Sequence, residues 1–172
     1  VPADRITPGL SAAWGTAARR ALADHLPAPF DADLLPRVEA KLENEPIEDL
    51  RVDFEDGYGV RPDAEEDAAV DRAVAALAAG PVPPFVGLRC KSLEPATRHR
   101  AVRTLDRFLD ALLSTADLPA GFVITLPKVS VVEQVTAMVT LCERLEAAYA
   151  LVTGRLRFEL QVETPAAVLG AD

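Results

Sequence analysis

The sequence predicts an α/β fold, a single domain built on a parallel sheet. Three observations carry this. Short apolar runs alternate with longer amphipathic ones from residue 50 onward, Gly and Pro punctuate the breaks, and no low-complexity linker divides the 172 residues. Strands that alternate with helices of this length form parallel sheets with right-handed crossovers.

Residues 10–25, rich in Ala and Leu, read as a helix halted by Pro27 and Pro29. Residues 33–43 read as a second, with Leu34, Leu35, Val38 and Leu42 at helical spacing. The first strand pattern, Leu50–Phe54, ends in Glu55-Asp56-Gly57-Tyr58-Gly59. A helix over 63–79 follows, its N-terminal end favoured by Asp63, Glu65, Glu66 and Asp67 and its other end closed by Gly80 and the prolines at 81, 83 and 84. The unit then repeats. Phe85–Leu88 is a strand running into Arg89-Cys90-Lys91, with a helix over 95–113. Phe122–Leu126 ends in Pro127-Lys128, with a helix over 130–152. Leu156–Val162 ends in Glu163-Thr164-Pro165, with little room for a helix before Gly170-Ala171-Asp172. The chain opens on Val1 rather than Met, and both ends read as cut. The four strands are expected to lie parallel, as neighbours in sequence order.

Composition narrows the function. Hydrophobic residues make up 49% and charged residues 26%, the balance of a soluble globular protein. A net charge of −9 argues against nucleic acid as a partner, because that binding rests on neutralising phosphates with Lys and Arg. No apolar run has membrane-spanning length and no signal-peptide pattern occurs. Cys90 and Cys142 have no metal-ligand spacing and suggest no disulfide framework, which fits a reducing compartment, the cytoplasm.

Each strand ends in charge just where a parallel strand hands over to its loop: Glu55 and Asp56, then Arg89 and Lys91, then Lys128, then Glu163. In parallel α/β architectures those carboxyl ends surround the binding site. Carboxylates offer hard oxygen ligands to Mg²⁺, and Arg offers a planar fork to a substrate carboxylate. For any one residue the plain alternative is a solvated loop charge, which fits Lys91 best, while for Asp53, within the strand, the alternative is a structural hydrogen-bonding role. Four consecutive strands ending the same way favour one shared cleft lined by Glu55, Asp56, Arg89 and Glu163. His25 and His99 stand alone and read as surface or helix-end residues. Ser92, Ser114 and Ser130 lack a His at triad spacing. Gly57-Tyr58-Gly59 follows acids that would repel phosphate. Trp14 and Phe108 read as packing.

These residues carry a resemblance. Asp53-Phe54-Glu55-Asp56, Gly87-Leu88-Arg89, Leu126-Pro127-Lys128-Val129 and Val162-Glu163-Thr164-Pro165 resemble, in order, the motifs after strands two to five of the citrate lyase β-subunit-like aldolase family. Val1-Pro2-Ala3-Asp4-Arg5 is similar to that family's loop after strand one. The resemblance implies a partial TIM (β/α)8 barrel over 1–172, incomplete at both ends. It implies a Mg²⁺-dependent carbon–carbon lyase, with Mn²⁺ as a substitute, acting through an enolate on a 2-oxo acid or a short acyl-CoA thioester. Glu163 would be the metal ligand. Arg89, Glu55 and Asp56 would be catalytic, and Arg89 and Lys128 would bind substrate. The expected assembly is a homo-oligomer, with residues 1–172 alone inactive.

The sequence also departs from the family's pattern. Ala3 stands for a glycine, Lys91 for an asparagine, and Gly57-Tyr58-Gly59 for Ala-Val. The family's second metal carboxylate follows a sixth strand that this chain lacks. Two other readings stay open from the residues themselves: an α/β domain that binds an anion without catalysis, and an interaction module.

Overall fold

A computed structural model describes residues 1–25 and 33–170. Pro27, Pro29, Ala171 and Asp172 lie outside the described residues. The elements run α1 (Leu10–His25), α2 (Leu35–Asn44), β1 (Asp49–Asp53), α3 (Asp63–Ala78), β2 (Phe85–Arg89), α4 (Arg98–Leu113), β3 (Phe122–Leu126), α5 (Val132–Ala148), β4 (Arg157–Leu160) and α6 (Pro165–Leu169), after a 3-10 turn at Ala3–Arg5. The four strands form one parallel sheet in the order β1-β2-β3-β4. Val1 and Pro2 extend it beyond β1. Pro2 bridges Asp53, the Asp53 N–H donates to the Val1 carbonyl at 2.8 Å, and the Val1 amino group donates to the Arg51 carbonyl at 2.8 Å.

Alternation within the strands gives the sheet two different faces. Leu50, Val52, Val86, Leu88, Phe122, Ile124 and Leu126 point to one face, and all are buried. Against them pack Ala69, Val70 and Ala73 of α3, Leu105, Phe108 and Leu109 of α4, and Met138 and Cys142 of α5. Phe108 links the layers, its ring centroid 6.4 Å from Phe54 and 6.1 Å from Phe122. Each large side chain so enclosed contributes about 1.5–3 kcal/mol. The opposite face carries Arg51 and Asp53 from β1, Arg89 from β2, Thr125 from β3 and Glu159 from β4. It is a polar face.

Helices α3 and α4 are zipped together by charge. Arg100 pairs with Asp63, Glu66 and Asp67, Arg103 also with Asp67, and Arg107 with Asp71. Arg103 and Arg100 hold the Asp67 carboxyl well below the usual carboxylate range.

Several element ends differ from the sequence reading for local reasons. Helix α4 starts at Arg98 because residues 94–97 form a turn first, in which Thr97 Oγ1 donates to the Ser92 carbonyl at 2.9 Å. Helix α5 stops at Ala148 because Ala150 adopts a left-handed φ of 52°, the conformation that ends helices. Glu146 then accepts the N–H groups of Gly154 and Leu156, which leads the chain into β4. Helix α6, for which the sequence left little room, is made by a Thr164 cap that accepts the Ala167 N–H, with Pro165 in the first turn. Trp14 is not core packing. It is 46% exposed, because α1 packs on α2 and buries only Gly15, where a Cβ would meet the Leu42 carbonyl and Pro46. No described helix is long and apolar enough to cross a membrane.

Candidate functional site

The parallel order brings the carboxyl ends of all four strands to one rim, and the charged residues there meet. Asp53, the last residue of β1, shapes the loop that follows. Its two carboxylate oxygens accept the N–H groups of Glu55 and Gly57, each at 2.8 Å, a local Asx-type turn. A Cβ at Gly57 would sit 2.5 Å from Asp53 Oδ2, so the turn needs glycine there. The loop's far side is held by Lys91. Its ammonium donates to the carbonyls of Phe54 at 2.7 Å and Gly59 at 3.0 Å, and lies 3.2 Å from the fully buried Glu66. Lys91 is therefore a buried structural cation rather than a solvated loop residue.

So fixed, Glu55 and Asp56 face two cations from other strands. Arg89 Nη2 donates to Glu55 Oε2 and Asp56 Oδ2, both at 2.8 Å. Lys128 Nζ donates to Glu55 Oε1 and Asp56 Oδ1, both at 2.7 Å. Arg89 Nε also lies 3.2 Å from Asp53 Oδ1. Lys128 reaches across β2 to the β1 loop from a left-handed backbone, φ 52°. That conformation costs a non-glycine residue about 1–2 kcal/mol. Hydrogen bonding to Lys128 lowers the Asp56 carboxyl to about 2, and Asp56 and Glu55 raise Lys128.

Glu163, after β4, closes the rim. Its carboxylate accepts the Lys128 backbone N–H at 3.1 Å and the Gln161 side-chain amide at 3.0 Å. Among the described residues it is the one acid of this group with no ion pair. Glu55, Asp56, Arg89, Lys128 and Glu163 thus come together, with Asp53 and Lys91 beneath them as supports.

Beneath the rim lies a second polar layer that the sequence reading did not single out. Arg51 Nε lies 3.3 Å from Glu159 Oε1, which also accepts the Thr125 hydroxyl at 2.6 Å. The signal was present as period-two polarity in Asp49-Leu50-Arg51-Val52-Asp53 and Arg157-Phe158-Glu159. The other reactive side chains lie elsewhere. His25 and His99 are exposed, while Ser92 pairs with Thr97 and Ser130 with Glu94 and Gln134. Both cysteines are free and buried, and desolvation pushes the Cys90 thiol up to about 12 and Cys142 to about 11. Neither is a nucleophile at neutral pH.

Chemically, the rim offers two cations side by side, three carboxylates within their reach, and a polar floor. Among the described residues, no three His, Cys, Asp or Glu side chains converge as a metal cage. A comparison with curated proteins finds no match. The family described as Domain of unknown function (DUF6986) matches over residues 1–172, the whole of the chain, and the chain belongs to that family.

Proposed function

We propose that this chain is the substrate-binding part of a carbon–carbon lyase or aldolase of the citrate lyase β-subunit-like kind, acting on a 2-oxo acid or a short acyl-CoA thioester within a β/α barrel. The observation that carries this reading is that Arg89 and Lys128, from two different strands, converge on the same pair of carboxylates at the rim. Two converging cations suit a substrate carboxylate and the oxygen of an enolate, whose charge grows as the carbon–carbon bond breaks. The parallel sheet with one polar face and the ordered motifs at its strand ends support the same reading. Two free, buried thiols are in keeping with a reducing cytoplasm.

The resemblance also brings Mg²⁺, with Glu163 as its ligand. The described acids do not fit that ion by themselves. Both oxygens of Glu55 and of Asp56 accept from cations, and both of Asp53 accept from backbone N–H groups. Glu163 alone would be a poor cage for an ion that loses water reluctantly. That same full pairing of the acids favours a second reading, an α/β domain that binds an anion and does no chemistry. An assay of carbon–carbon cleavage on 2-oxo acids and acyl-CoA thioesters, with and without Mg²⁺, separates the two. Cleavage that disappears in Arg89→Ala supports the lyase. Anion binding that depends on Arg89, without turnover of any such substrate even in a complete barrel, supports the binding domain.

A further inference from the structure

We propose that Glu55 and Asp56 are an internal occupant of the Arg89–Lys128 anion site, and that the external ligand which displaces them carries two carboxylates. The inference rests on the anion-binding part of the reading above and adds what fills the site and what replaces it.

The pairing is regular. Each acid spans both cations, placing one oxygen on Arg89 and the other on Lys128, at 2.7–2.8 Å throughout. Four charge-assisted hydrogen bonds thus join two cations to two carboxylates on consecutive residues. What the cations meet is a pair of carboxylates brought close together in space by the side chains of consecutive residues. A ligand with one carboxylate can replace one of them, whereas a short dicarboxylate can replace both and restore all four bonds.

The supports are built for such an exchange. Asp53 is committed to the loop's N–H groups and stays against Arg89 Nε, so the guanidinium remains oriented when the other acids leave. Lys128 keeps its direction from its own backbone, whose N–H is fixed on Glu163. The two displaced acids are not equivalent. The Asp56 side chain is 57% exposed and can turn to water, but that of Glu55 is 12% exposed and would lose its partners while still shielded. Glu55 is therefore the stronger competitor. The opposite expectation, that these acids attract a cation and thereby help an anion to bind, requires both Arg89 and Lys128 to leave them first.

The test is calorimetric titration of malonate, succinate and acetate into the wild-type protein and its variants. Glu55→Gln/Asp56→Asn should bind malonate or succinate about tenfold tighter or more than wild type, with a smaller change for acetate. Glu55→Gln alone should account for most of the gain. Asp56→Asn, at an exposed position, should show a smaller gain and guards against misfolding of the double variant, which thermal melts also check. Unchanged or weaker dicarboxylate binding in these variants, or none in any of them, overturns the proposal. Arg89→Ala/Lys128→Ala should bind no dicarboxylate. Wild-type affinity in that variant would instead remove the anion site itself, so the two failures are told apart.

Discussion

Arg51 on β1 reaches Glu159 on β4, Nε to Oε1 at 3.3 Å, although two strands separate them in the sheet. Arg51 is in register with Gly87 of β2, which has no side chain to obstruct it. Thr125 of β3 completes the crossing with its hydroxyl on the same Glu159 oxygen. The polar face is thereby tied together from its first strand to its last.

The tie and the gap beneath it should differ sharply in cost. Arg51→Met breaks two pairs, with Glu159 and with Asp49, whose carboxylates are both half exposed, and should lower stability by only about 1 kcal/mol. At Gly87 a Cβ would stand 1.7 Å from the Val123 carbonyl oxygen, a backbone atom that cannot turn aside. Gly87→Ala should therefore cost about 3 kcal/mol or more, or prevent folding. Urea unfolding of both variants measures the contrast, and equal midpoints would refute it.

Lys91 is expected to hold the acidic loop in place. Lys91→Met would strand two carbonyls and leave the fully buried Glu66 with Arg100 and Thr104 as its polar partners among the described residues. Breaking a buried pair in this way costs about 3–5 kcal/mol, the lower end applying where one cation remains. Hydrogen exchange should quicken at the Glu55, Gly57 and Gly59 amides ahead of those in β2. Uniform acceleration across the sheet would mean that Lys91 stabilises the domain without particular effect on the loop.

The fold was largely legible in the sequence because hydrophobic periodicity and Gly/Pro punctuation are local signals. The strands at 85–88 and 122–126 needed nothing more. What was not legible came from contacts across strands. Nothing around Lys91 in sequence says that its ammonium meets carbonyls 32 and 37 residues away. Trp14 had a helical apolar pattern, but its helix packs on α2 and touches the core through Leu10 at its start, leaving Trp14 half exposed. At the rim, strand-end position selected Glu55, Asp56, Arg89, Lys128 and Glu163, while only the geometry revealed which acid pairs with which cation.

Lys128 allows conformation to be separated from charge. Its φ of 52° suits glycine better than alanine. Lys128→Gly and Lys128→Ala both delete the ammonium, so the loss of pairing with Glu55 and Asp56 is common to them. The glycine variant should be the more stable by about 1 kcal/mol, and both should lose anion binding equally. Matching thermal midpoints would show that the left-handed backbone at this position relaxes in solution.

The same pair fixes a pH response. Lys128 lowers Asp56 from its ordinary 3.8 to about 2. A depressed carboxyl contributes stability that is complete above the unfolded value and is lost as pH falls through the folded one, so this contribution fades between about pH 4 and pH 2. Lys128 is shifted upward, and its contribution is present below 10.5 and lost only as pH rises past its folded value. Carbon-detected NMR titration should place the Asp56 carboxyl near 2 in the wild type and return it toward 3.8 in Lys128→Ala. An unmoved Asp56 in that variant would remove Lys128 as the cause.

Glu163 offers the cleanest separation of fold from chemistry. Both of its partners are uncharged donors, the Lys128 N–H and the Gln161 amide, and its side chain lies at an exposed position after β4. Glu163→Gln keeps the shape and an oxygen for the Lys128 N–H. The other position then faces the Gln161 amide with an NH₂ group, a loss that an exposed Gln161 amide recovers by turning or by binding water. The change should therefore alter stability by no more than about 0.5 kcal/mol. In a complete barrel, where further groups would finish the ion's shell, it should still remove Mg²⁺ affinity and cleavage together, because an amide is a far weaker ligand for a hard cation than a carboxylate. Arg89→Ala should do the reverse, keeping Mg²⁺ affinity while weakening the anion. Calorimetric Mg²⁺ titrations of the two variants beside the cleavage assay make the comparison. Wild-type Mg²⁺ affinity in Glu163→Gln would show that the ligand has been misassigned, and cleavage with no metal dependence in the wild type would leave Arg89 and Lys128 as the whole of the electrostatic machinery.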